Sequence, residues 1–376
     1  MLSLFDWISC GRVALERAGI EVESYCASEI DKYAIQVSEK NFPGIIHIWD
    51  VKNIVIQDNH LNIDLLIWGS PCQWFSRAWK QENFEDPRSK LFYEYVRILK
   101  ETKPKYFILE NVRMKPEFER KITQYLDWVE PILINSSLVS AQNRERLYWV
   151  WELQENGKYM TVDIPQPEDK KIFLKDILED EVDEKYYLSE KAINTMLGYR
   201  QDYIVSWKSP TLTTELAHTT WKNTTPALIR EIFYAQNNCI IQIPRWKNAW
   251  GFHSEKSPTL TSNQWEHNNP LFIPEATEKW YIEVQDWECF DFTHPTSSTR
   301  RGREMKEKSN CMTTSFDFLR YEKGRIRRLT PIECERLQTL PDNYTACVSN
   351  SQRYKQLGNW WTIDVIAHIL SHLRFE

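Results

Sequence analysis

The sequence predicts an α/β protein whose parallel sheet is followed by a long insertion of mainly β or irregular structure. Over the first 150 residues, short apolar runs alternate with amphipathic segments, the pattern of strands and helices that cover both faces of a sheet. After the acidic segment that ends at Glu190, the chain becomes rich in Thr, Asn, Trp and Pro with weak periodicity. Helical signals return after Arg327, so we expect the last segment to rejoin the first domain.

Seven short apolar runs are the predicted strands of the first domain. They are residues 2–5, 24–28, 45–48, 65–67, 106–109, 133–136 and 146–150. Helices are predicted between them at 11–18, 32–41 and 90–101, and near the C terminus at 362–373. A further helix is expected to begin at Pro331, because proline suits the first helical position.

The length of 376 residues suits two domains, or one domain with a large insertion. We expect a catalytic and cofactor-binding domain over 1–151, an insertion over 152–325 with an acidic linker near 166–190, and a returning segment over 326–376. Ten basic and four acidic residues lie within 300–328, a balance that favours a phosphate-contacting surface and a solvated charged face equally.

A short phrase recurs within the insertion. Lys-Ser-Pro-Thr-Leu-Thr stands at 208–213 and at 256–261, and a looser copy runs from Lys308 to Thr313. A shared phrase at similar spacing predicts a repeated β unit.

Several classes of protein are not expected. The eight cysteines form no Cys-x-x-Cys pair and no cluster with histidine, so we expect no metal site. Met1 leads directly into the first predicted strand, and no apolar run approaches the length that spans a membrane. These features predict a cytoplasmic protein without a membrane segment.

The chain has 17 tryptophans but only 10 glycines, whereas glycine alone averages about 7% of residues. Many of the tryptophans stand where turns call for glycine. We hypothesise that thirteen of them are glycines encoded by UGA and translated with a code that reads UGA as Trp; thirteen added to the 10 glycines gives 23, and 4 tryptophans remain. The thirteen are Trp7, Trp49, Trp68, Trp74, Trp79, Trp128, Trp151, Trp221, Trp246, Trp250, Trp280, Trp287 and Trp360. A protein truly rich in tryptophan is the alternative.

Polar or reactive side chains follow five predicted strands. Asp6, Glu29, Asp50, Cys72 and Glu110 all lie at carboxyl ends, where open α/β sheets bind ligands. A carboxylate in the position of Glu29 suits ribose hydroxyls, and Asp50 suits an adenine amino group. The first turn lacks Gly-x-Gly-x-x-Gly, so we expect an adenosine cofactor without phosphates, namely S-adenosylmethionine.

Cys72 is the predicted nucleophile. It follows Ser70 and Pro71 directly after an apolar strand, and a polar segment with Arg and Lys runs from Gln73 to Ser89. A single cysteine is more often a small buried hydrophobic residue, so this prediction depends on the neighbouring motifs.

Those motifs resemble the DNA (cytosine-5)-methyltransferase family over nearly the whole chain and in the family's order. They are Phe5-Asp6-Trp7-Ile8-x-x-Gly11, Ser70-Pro71-Cys72-Gln73, Glu110-Asn111-Val112, Gln142-x-Arg144-x-Arg146 and Gln356-Leu357-Gly358-Asn359. The resemblance implies a Rossmann-like S-adenosylmethionine-dependent methyltransferase fold with an inserted target recognition domain, acting on double-stranded DNA.

The resemblance also implies roles for individual residues. Cys72 would add to carbon 6 of cytosine, Glu110 would hold or protonate ring N3, and Arg144 and Arg146 would face the base carbonyl, a phosphate or Glu110. Such chemistry requires a base flipped out of the duplex, and the segment 73–89 is the expected lid. The cofactor-binding residues implied are Phe5, Asp6, Trp7, Ile8, Gly11, Glu29, Ile30, Asp50, Val51, Pro71 and Asn359.

Two other functions stay open at this point. One is an RNA cytosine C5 methyltransferase, although the Cys-Phe-Thr of its tRNA-directed relatives is absent. The other is a catalytically inactive DNA- or cofactor-binding homologue, which real tryptophans at glycine positions would favour. For the leading function we expect a monomer from a bacterium or a phage, with a cognate restriction endonuclease as a further partner.

The coding hypothesis predicts a mass. The protein purified from its own host should be lighter than the printed sequence by thirteen times the difference between an indolylmethyl side chain and a hydrogen atom. Intact-protein mass spectrometry measures this difference directly. A mass that agrees with 17 tryptophans would end the hypothesis.

Overall fold

The structure, a computed structural model, describes most of the first domain and part of the insertion. The described residues are 1–48, 50–56, 63–69, 89–126, 128–189, 192, 241–242, 271–274, 281–285, 287–293, 302–314, 317–322 and 325–375. They divide into two compact units. The first comprises Met1–Ile177, Asn310–Thr314 and Pro331–Glu376, and the second Leu178–Ser309 and Ser315–Thr330.

One eight-stranded sheet forms the centre of the first unit. Its strands are β1 (Leu2–Leu4), β2 (Cys26–Ser28), β3 (Ile46–His47), β4 (Leu65–Gly69), β5 (Tyr106–Val112), β6 (Ile132–Asn135), β7 (Glu145–Leu153) and β8 (Tyr159–Thr161). The order is β3-β2-β1-β4-β5-β7-β6, and β8 pairs with β7. The seven predicted strands are therefore present, with β1 to β5 parallel to one another.

The expectation of a parallel sheet is wrong for β7. This strand runs antiparallel to both β5 and β6 and lies between them. Parallel neighbours need a crossover connection of a dozen or more residues, usually with a helix. Residues 136–144, which join β6 to β7, hold only the short 3₁₀ turn Ser136–Leu138, so the chain reverses there.

Eight helices are described in the first unit. They are α1 (Cys10–Arg17), α2 (Lys32–Asn41), α3 (Ser89–Thr102), α4 (Pro116–Tyr125), α5 (Leu174–Ile177), α6 (Pro331–Leu337), α7 (Asn350–Asn359) and α8 (Ile363–Leu370). Apolar side chains of α3, such as Tyr95 and Leu99, share one core with Leu66, Phe107 and Trp149 of the sheet. Helix α1 packs against α8, so the C-terminal segment does rejoin the first domain.

The second unit is built from short antiparallel strands. One sheet joins β9 (Ile241–Gln242), β10 (Leu271–Pro274) and β11 (Tyr281–Val284), and another joins β12 (Cys289–Asp291), β13 (Arg303–Met305), β14 (Phe318–Glu322) and β15 (Arg325–Arg328). Phe290, Phe292, Leu319 and Tyr321 lie in its core. The first two copies of the repeated phrase lie outside the described residues, and the target-recognition role of 152–325 stays a prediction.

Four of the described cations in the basic segment 300–328 pair with neighbouring carboxylates. Arg320 and Arg327 both pair with the buried Glu322 through Nε–O distances of 3.1 Å. Arg328 pairs with Asp317 at 2.8 Å, and Arg303 pairs with Asp291. These four cations therefore pair with carboxylates inside the second unit, and the phosphate-contacting surface stays a prediction.

Within the described residues, the helices are all too short or too polar to cross a membrane. The same residues contain no group of three or more His, Cys, Asp or Glu side chains arranged to hold a metal ion.

Three of the thirteen tryptophans have a left-handed backbone. Trp7, Trp128 and Trp287 have φ values of 54°, 70° and 76°, a conformation that costs an L-residue with a Cβ about 1–2 kcal/mol. Trp128 follows α4 and donates its N–H to the carbonyl of Thr123, at a helix end that glycine usually occupies. Trp287 is the third residue of a turn in which the backbone N–H of Glu288 donates to the carbonyl of Gln285.

Three more of the thirteen lack a partner for a buried indole N–H. Trp68, Trp151 and Trp360 are at most 4% exposed, and no described residue accepts from their Nε1 atoms. A buried tryptophan N–H usually has an acceptor. Trp149 and Trp361, which the hypothesis keeps as tryptophans, do donate, to Thr123 at 3.1 Å and to Glu110 at 3.0 Å.

Not every feature favours glycine. Trp68 lies inside β4 rather than in a turn and stacks on Tyr95 with ring centroids 4.5 Å apart. Trp151 lies inside β7 against Phe107. Both rings pack against aromatic neighbours in the core, but neither indole N–H has an acceptor among the described residues. The other seven of the thirteen, Trp49, Trp74, Trp79, Trp221, Trp246, Trp250 and Trp280, lie outside the described residues.

Backbone strain at Trp128 predicts a stability difference. Trp128 is 64% exposed, so its replacement removes little buried surface. Trp128→Gly should be about 1 kcal/mol more stable to unfolding than Trp128→Ala, because alanine keeps the Cβ that the left-handed backbone disfavours. Urea unfolding of the two variants measures the difference. Equal stabilities would show that the backbone at this position is relaxed.

Candidate active site

Glu110 lies on β5 and is held at both oxygens. Its side chain is buried, and its backbone is in register with Gly69 of β4 on one side and Tyr148 of β7 on the other. The Nε of Arg146 lies 2.9 Å from Oε1, and the indole Nε1 of Trp361 donates to Oε2 at 3.0 Å. Two donors from distant parts of the chain therefore fix one carboxylate.

Burial raises the pKa of Glu110 above its ordinary value, although the Arg146 and Arg144 guanidiniums act against this rise. The low-dielectric interior disfavours the charged form, and the cations recover only part of that cost. The pKa in the folded protein is thus above that of the unfolded chain. Glu110 contributes stability that is fully present below the unfolded pKa and is lost as the pH rises through the folded pKa.

Arg144 and Arg146 alternate at the start of β7 and reach the same sulfur atom. Arg144 Nη1 lies 3.1 Å from Cys311 Sγ, and Arg146 Nη2 lies 3.5 Å from it. Burial opposes ionisation of Cys311, but the two guanidiniums together lower its pKa below the ordinary value. Arg144 also donates to the carbonyls of Met312 at 2.9 Å and Trp360 at 2.6 Å, so it supports the site without contacting Glu110.

The predicted nucleophile lies outside the described residues, as does Pro71. The strand that leads to both is described as far as Gly69, which is in parallel register with Glu110. A Cβ on Gly69 would lie 2.8 Å from the indole of Trp361. Glycine is therefore required at the end of β4 as long as Trp361 keeps its place.

The first turn, between β1 and α1, has an unusual backbone. Phe5, Trp7 and Ser9 all have positive φ, between 54° and 59°. Strain of this kind concentrates at binding sites. The carboxylate of Asp6 is fully buried and accepts from the hydroxyls of Ser9 and Tyr25. These hydrogen bonds stabilise the conformation of the turn.

Three more of the predicted cofactor residues are Glu29, Ile30 and Asp50. Glu29 accepts from the backbone N–H groups of Trp7 at 2.9 Å, Ile30 at 2.7 Å and Asp31 at 2.8 Å. Burial raises the pKa of Glu29, while these donors lower it. Ile30 is 72% exposed, an unusual state for an isoleucine. Asp50 caps a short 3₁₀ turn by accepting from Lys52 N.

The remaining cofactor residues are placed as follows. Ile8, Gly11 and Val51 are buried, and a Cβ on Gly11 would meet the Tyr25 hydroxyl at 3.0 Å. Asn359 is exposed at the end of α7. The indole of Trp7 donates to the carbonyl of Gln356 at 3.0 Å, so its ring spans from the first turn to α7.

Sequence reasoning missed two residues of the site, Trp361 and Cys311. Trp361 stands two residues after Asn359, so the last motif pointed to its position without revealing its contact. Cys311 belongs to the third, looser copy of the repeated phrase, which falls within the predicted insertion 152–325. Residues Asn310–Thr314 instead pack with the first unit, and a Cβ on Gly358 of α7 would overlap the Thr313 carbonyl.

The model of one protein family, described as C-5 cytosine-specific DNA methylase, matches residues 1–374. The chain belongs to this family. The predicted family, enzyme class and α/β fold with a β insertion are thereby confirmed.

Relatives of this methylase come from phages and bacteria. The orphan methyltransferase M.SPRI of Bacillus phage SPR is 29% identical, with 99% of this chain and 97% of the relative covered. The type II methyltransferase M.BanI of Aneurinibacillus aneurinilyticus is 28% identical, with 99% and 95% covered.

Two solved structures share the fold of this methylase. The Entamoeba histolytica methyltransferase EhMeth has a TM-score of 0.56 at 17% identity, with 99% of this chain and 96% of that chain covered. The Dnmt2 methyltransferase of S. pombe has a TM-score of 0.53 at 15% identity, with 98% of this chain and 96% of that chain covered.

Removal of Arg146 should change the titration of Glu110. Arg146→Gln removes the cation on Oε1, so the pKa of Glu110 should rise further, because burial remains and the charged form loses its counterion. Carboxyl ¹³C NMR of the protein with labelled glutamate measures the titration, and the signal absent from Glu110→Gln identifies the residue. The control is Arg113→Gln, which breaks an exposed ion pair to Glu145 and should leave the titration in place. An unchanged titration in Arg146→Gln would contradict the ion pair.

Proposed function

We propose that this methylase transfers a methyl group from S-adenosylmethionine to carbon 5 of cytosine in double-stranded DNA, through a covalent bond between Cys72 and a flipped-out base. The observation that supports this most is the buried, doubly held Glu110. It lies beside the end of the strand that continues to Cys72.

Carbon 5 of cytosine is a poor nucleophile, and the chain's own residues can activate it. The Cys72 thiolate adds to carbon 6, and the electrons of the carbon 5–carbon 6 bond move into the ring as N3 takes a proton. Carbon 5 of the resulting enamine then takes the methyl group, while the electrons of the broken carbon–sulfur bond stay on the cofactor's sulfur, which leaves as a thioether, and N3 returns its proton to Glu110. Loss of the carbon 5 proton and cleavage of the sulfur–carbon 6 bond restore the aromatic ring and the Cys72 thiolate.

Glu110 suits the proton transfer to N3. Its raised pKa makes a protonated carboxyl available nearer to neutral pH, which is what a general acid requires. Arg146 pairs with Oε1 of Glu110, and in the proposed reaction its guanidinium also stabilises charge on the cytosine carbonyl. Arg144 contributes by anchoring the backbone at Met312 and Trp360.

The residues around the first turn fit S-adenosylmethionine in most respects. The Glu29 carboxylate suits ribose hydroxyls, the exposed Ile30 suits an adenine face, and Asp50 suits its amino group. Gln356 has a buried amide with no partner among the described residues, the kind of group that a polar ligand satisfies. When bound, the cofactor supplies the activated methyl group.

Among the predicted cofactor residues that the structure describes, Trp7 does not fit. Its ring crosses from the first turn to α7, where glycine would allow a ligand to approach the backbone. We therefore infer that the printed sequence is inactive and that the version with glycine at the thirteen positions is the active enzyme. The segment 73–89, the expected lid over a flipped base, lies outside the described residues, and a cognate endonuclease stays a prediction.

Two synthetic genes test the proposal, one with tryptophan and one with glycine at the thirteen positions. Bisulfite sequencing of DNA from cells that express the glycine version should reveal protected cytosines at one sequence, and the tryptophan version should leave none. In the glycine version, Cys72→Ser should abolish protection. The control is Cys347→Ser, at a half-buried cysteine beside Gln36, which should retain it.

Each outcome decides one part of the proposal. Protection by Cys72→Ser at the parent rate would exclude the covalent mechanism. Protected cytosines in RNA alone would favour the RNA enzyme. Activity of the tryptophan version would end the coding hypothesis.

A further inference from the structure

Trp361 has a contact that its place in the last motif does not explain. Its indole is 2% exposed, and its N–H donates to Oε2 of Glu110 at 3.0 Å. We propose that Trp361 is a positioning residue, which orients the Glu110 carboxyl toward N3 of the cytosine. This inference rests on the proposed function, since it concerns the same reaction.

The geometry of the carboxyl group supports this role. The last torsion of a glutamate side chain is broad, so a single ion pair at one oxygen leaves the group free to rotate. Arg146 holds Oε1, and Trp361 holds Oε2. With both oxygens held, the plane of the carboxyl is fixed before any substrate binds.

The indole is itself held from two sides. Gly69 lies so close that a methyl group there would be 2.8 Å from ring atoms of Trp361. The fully buried Gln338 accepts from Thr362 through its side chain and from Ile363 through its carbonyl, which fixes the chain directly after Trp361.

A neutral donor has an advantage over a second cation here. A cation on Oε2 would stabilise the carboxylate strongly and would oppose protonation, whereas an indole N–H forms a weaker bond. The observed pair, one arginine and one indole, orients Glu110 while its pKa stays raised. Trp361 thus orients the Glu110 carboxyl group without preventing its protonation.

Trp361→Phe in the glycine version tests the role, because phenylalanine keeps an aromatic ring and loses only the N–H donor. We expect kcat to fall about 10- to 100-fold, the effect of one hydrogen bond to a charged group, with KM for DNA and for S-adenosylmethionine little changed. The limb of the pH–rate profile that reports Glu110 should move to higher pH, because the carboxylate loses a donor.

Trp149→Phe is the matched control. Trp149 is also fully buried and also donates one indole hydrogen bond, to Thr123 Oγ1 at 3.1 Å, within the core of the same unit. Its replacement should lower the melting temperature and leave both kcat and the pH profile at parent values. If Trp361→Phe behaves in the same way, Trp361 is only structural and the inference is wrong.

Gly69→Ala tests the same hydrogen bond, from the Trp361 indole to Glu110, in a second way. Its methyl group should displace the indole from Glu110, lowering kcat and moving the pH profile in the same direction as Trp361→Phe. The double variant should be little worse than either single one, since both act through one contact. Additive losses would overturn the inference.

Adduct formation separates this inference from the proposed function. DNA that contains 5-fluorocytosine has no removable proton at carbon 5, so it should trap the parent enzyme as a covalent complex. A parent that forms no complex contradicts the proposed mechanism itself. A parent and a Trp361→Phe variant that form the complex equally fast contradict only the role of Trp361.

Discussion

The ion pair between Glu110 and Arg146 depends on one feature of the sheet, the antiparallel placement of β7 beside β5. Val112 is in register with Arg146, so the arginine enters the sheet two residues beyond Glu110 on the neighbouring strand. Had β7 continued the parallel pattern, its basic end would lie at the opposite edge. The short link from β6 to β7 therefore decides where the positive charge of the site lies.

Charge balance explains why so many charged groups can be buried in one place. Two guanidiniums and one carboxylate would leave an excess positive charge, which is costly away from water. Cys311, with its lowered pKa, lies between the two arginines. Its sulfur accepts from both guanidiniums, which favour its ionisation, and it gives Arg144 a partner that does not compete with Arg146 for Glu110.

The tryptophans divide into two groups by their local physics. Those kept by the coding hypothesis and described here, Trp149 and Trp361, donate hydrogen bonds. Of those reassigned, three have a backbone that suits glycine and three bury an N–H without an acceptor. In the first turn, Trp7 lies between Phe5 and Ser9, and all three residues have a left-handed backbone.

By itself, the sequence predicted seven of the eight strands of the first sheet and five of the eight helices described in the first unit, because apolar periodicity and caps act over a few residues. It also placed Glu29, Asp50 and Glu110 at or near the ends of strands, since each follows a short apolar run. Tertiary structure alone decided the reversal of β7, the return of Asn310–Thr314 to the first unit, and the bond from Trp361 to Glu110. That last pair is separated by 251 residues, and a contact at such a distance leaves no periodic trace in the chain.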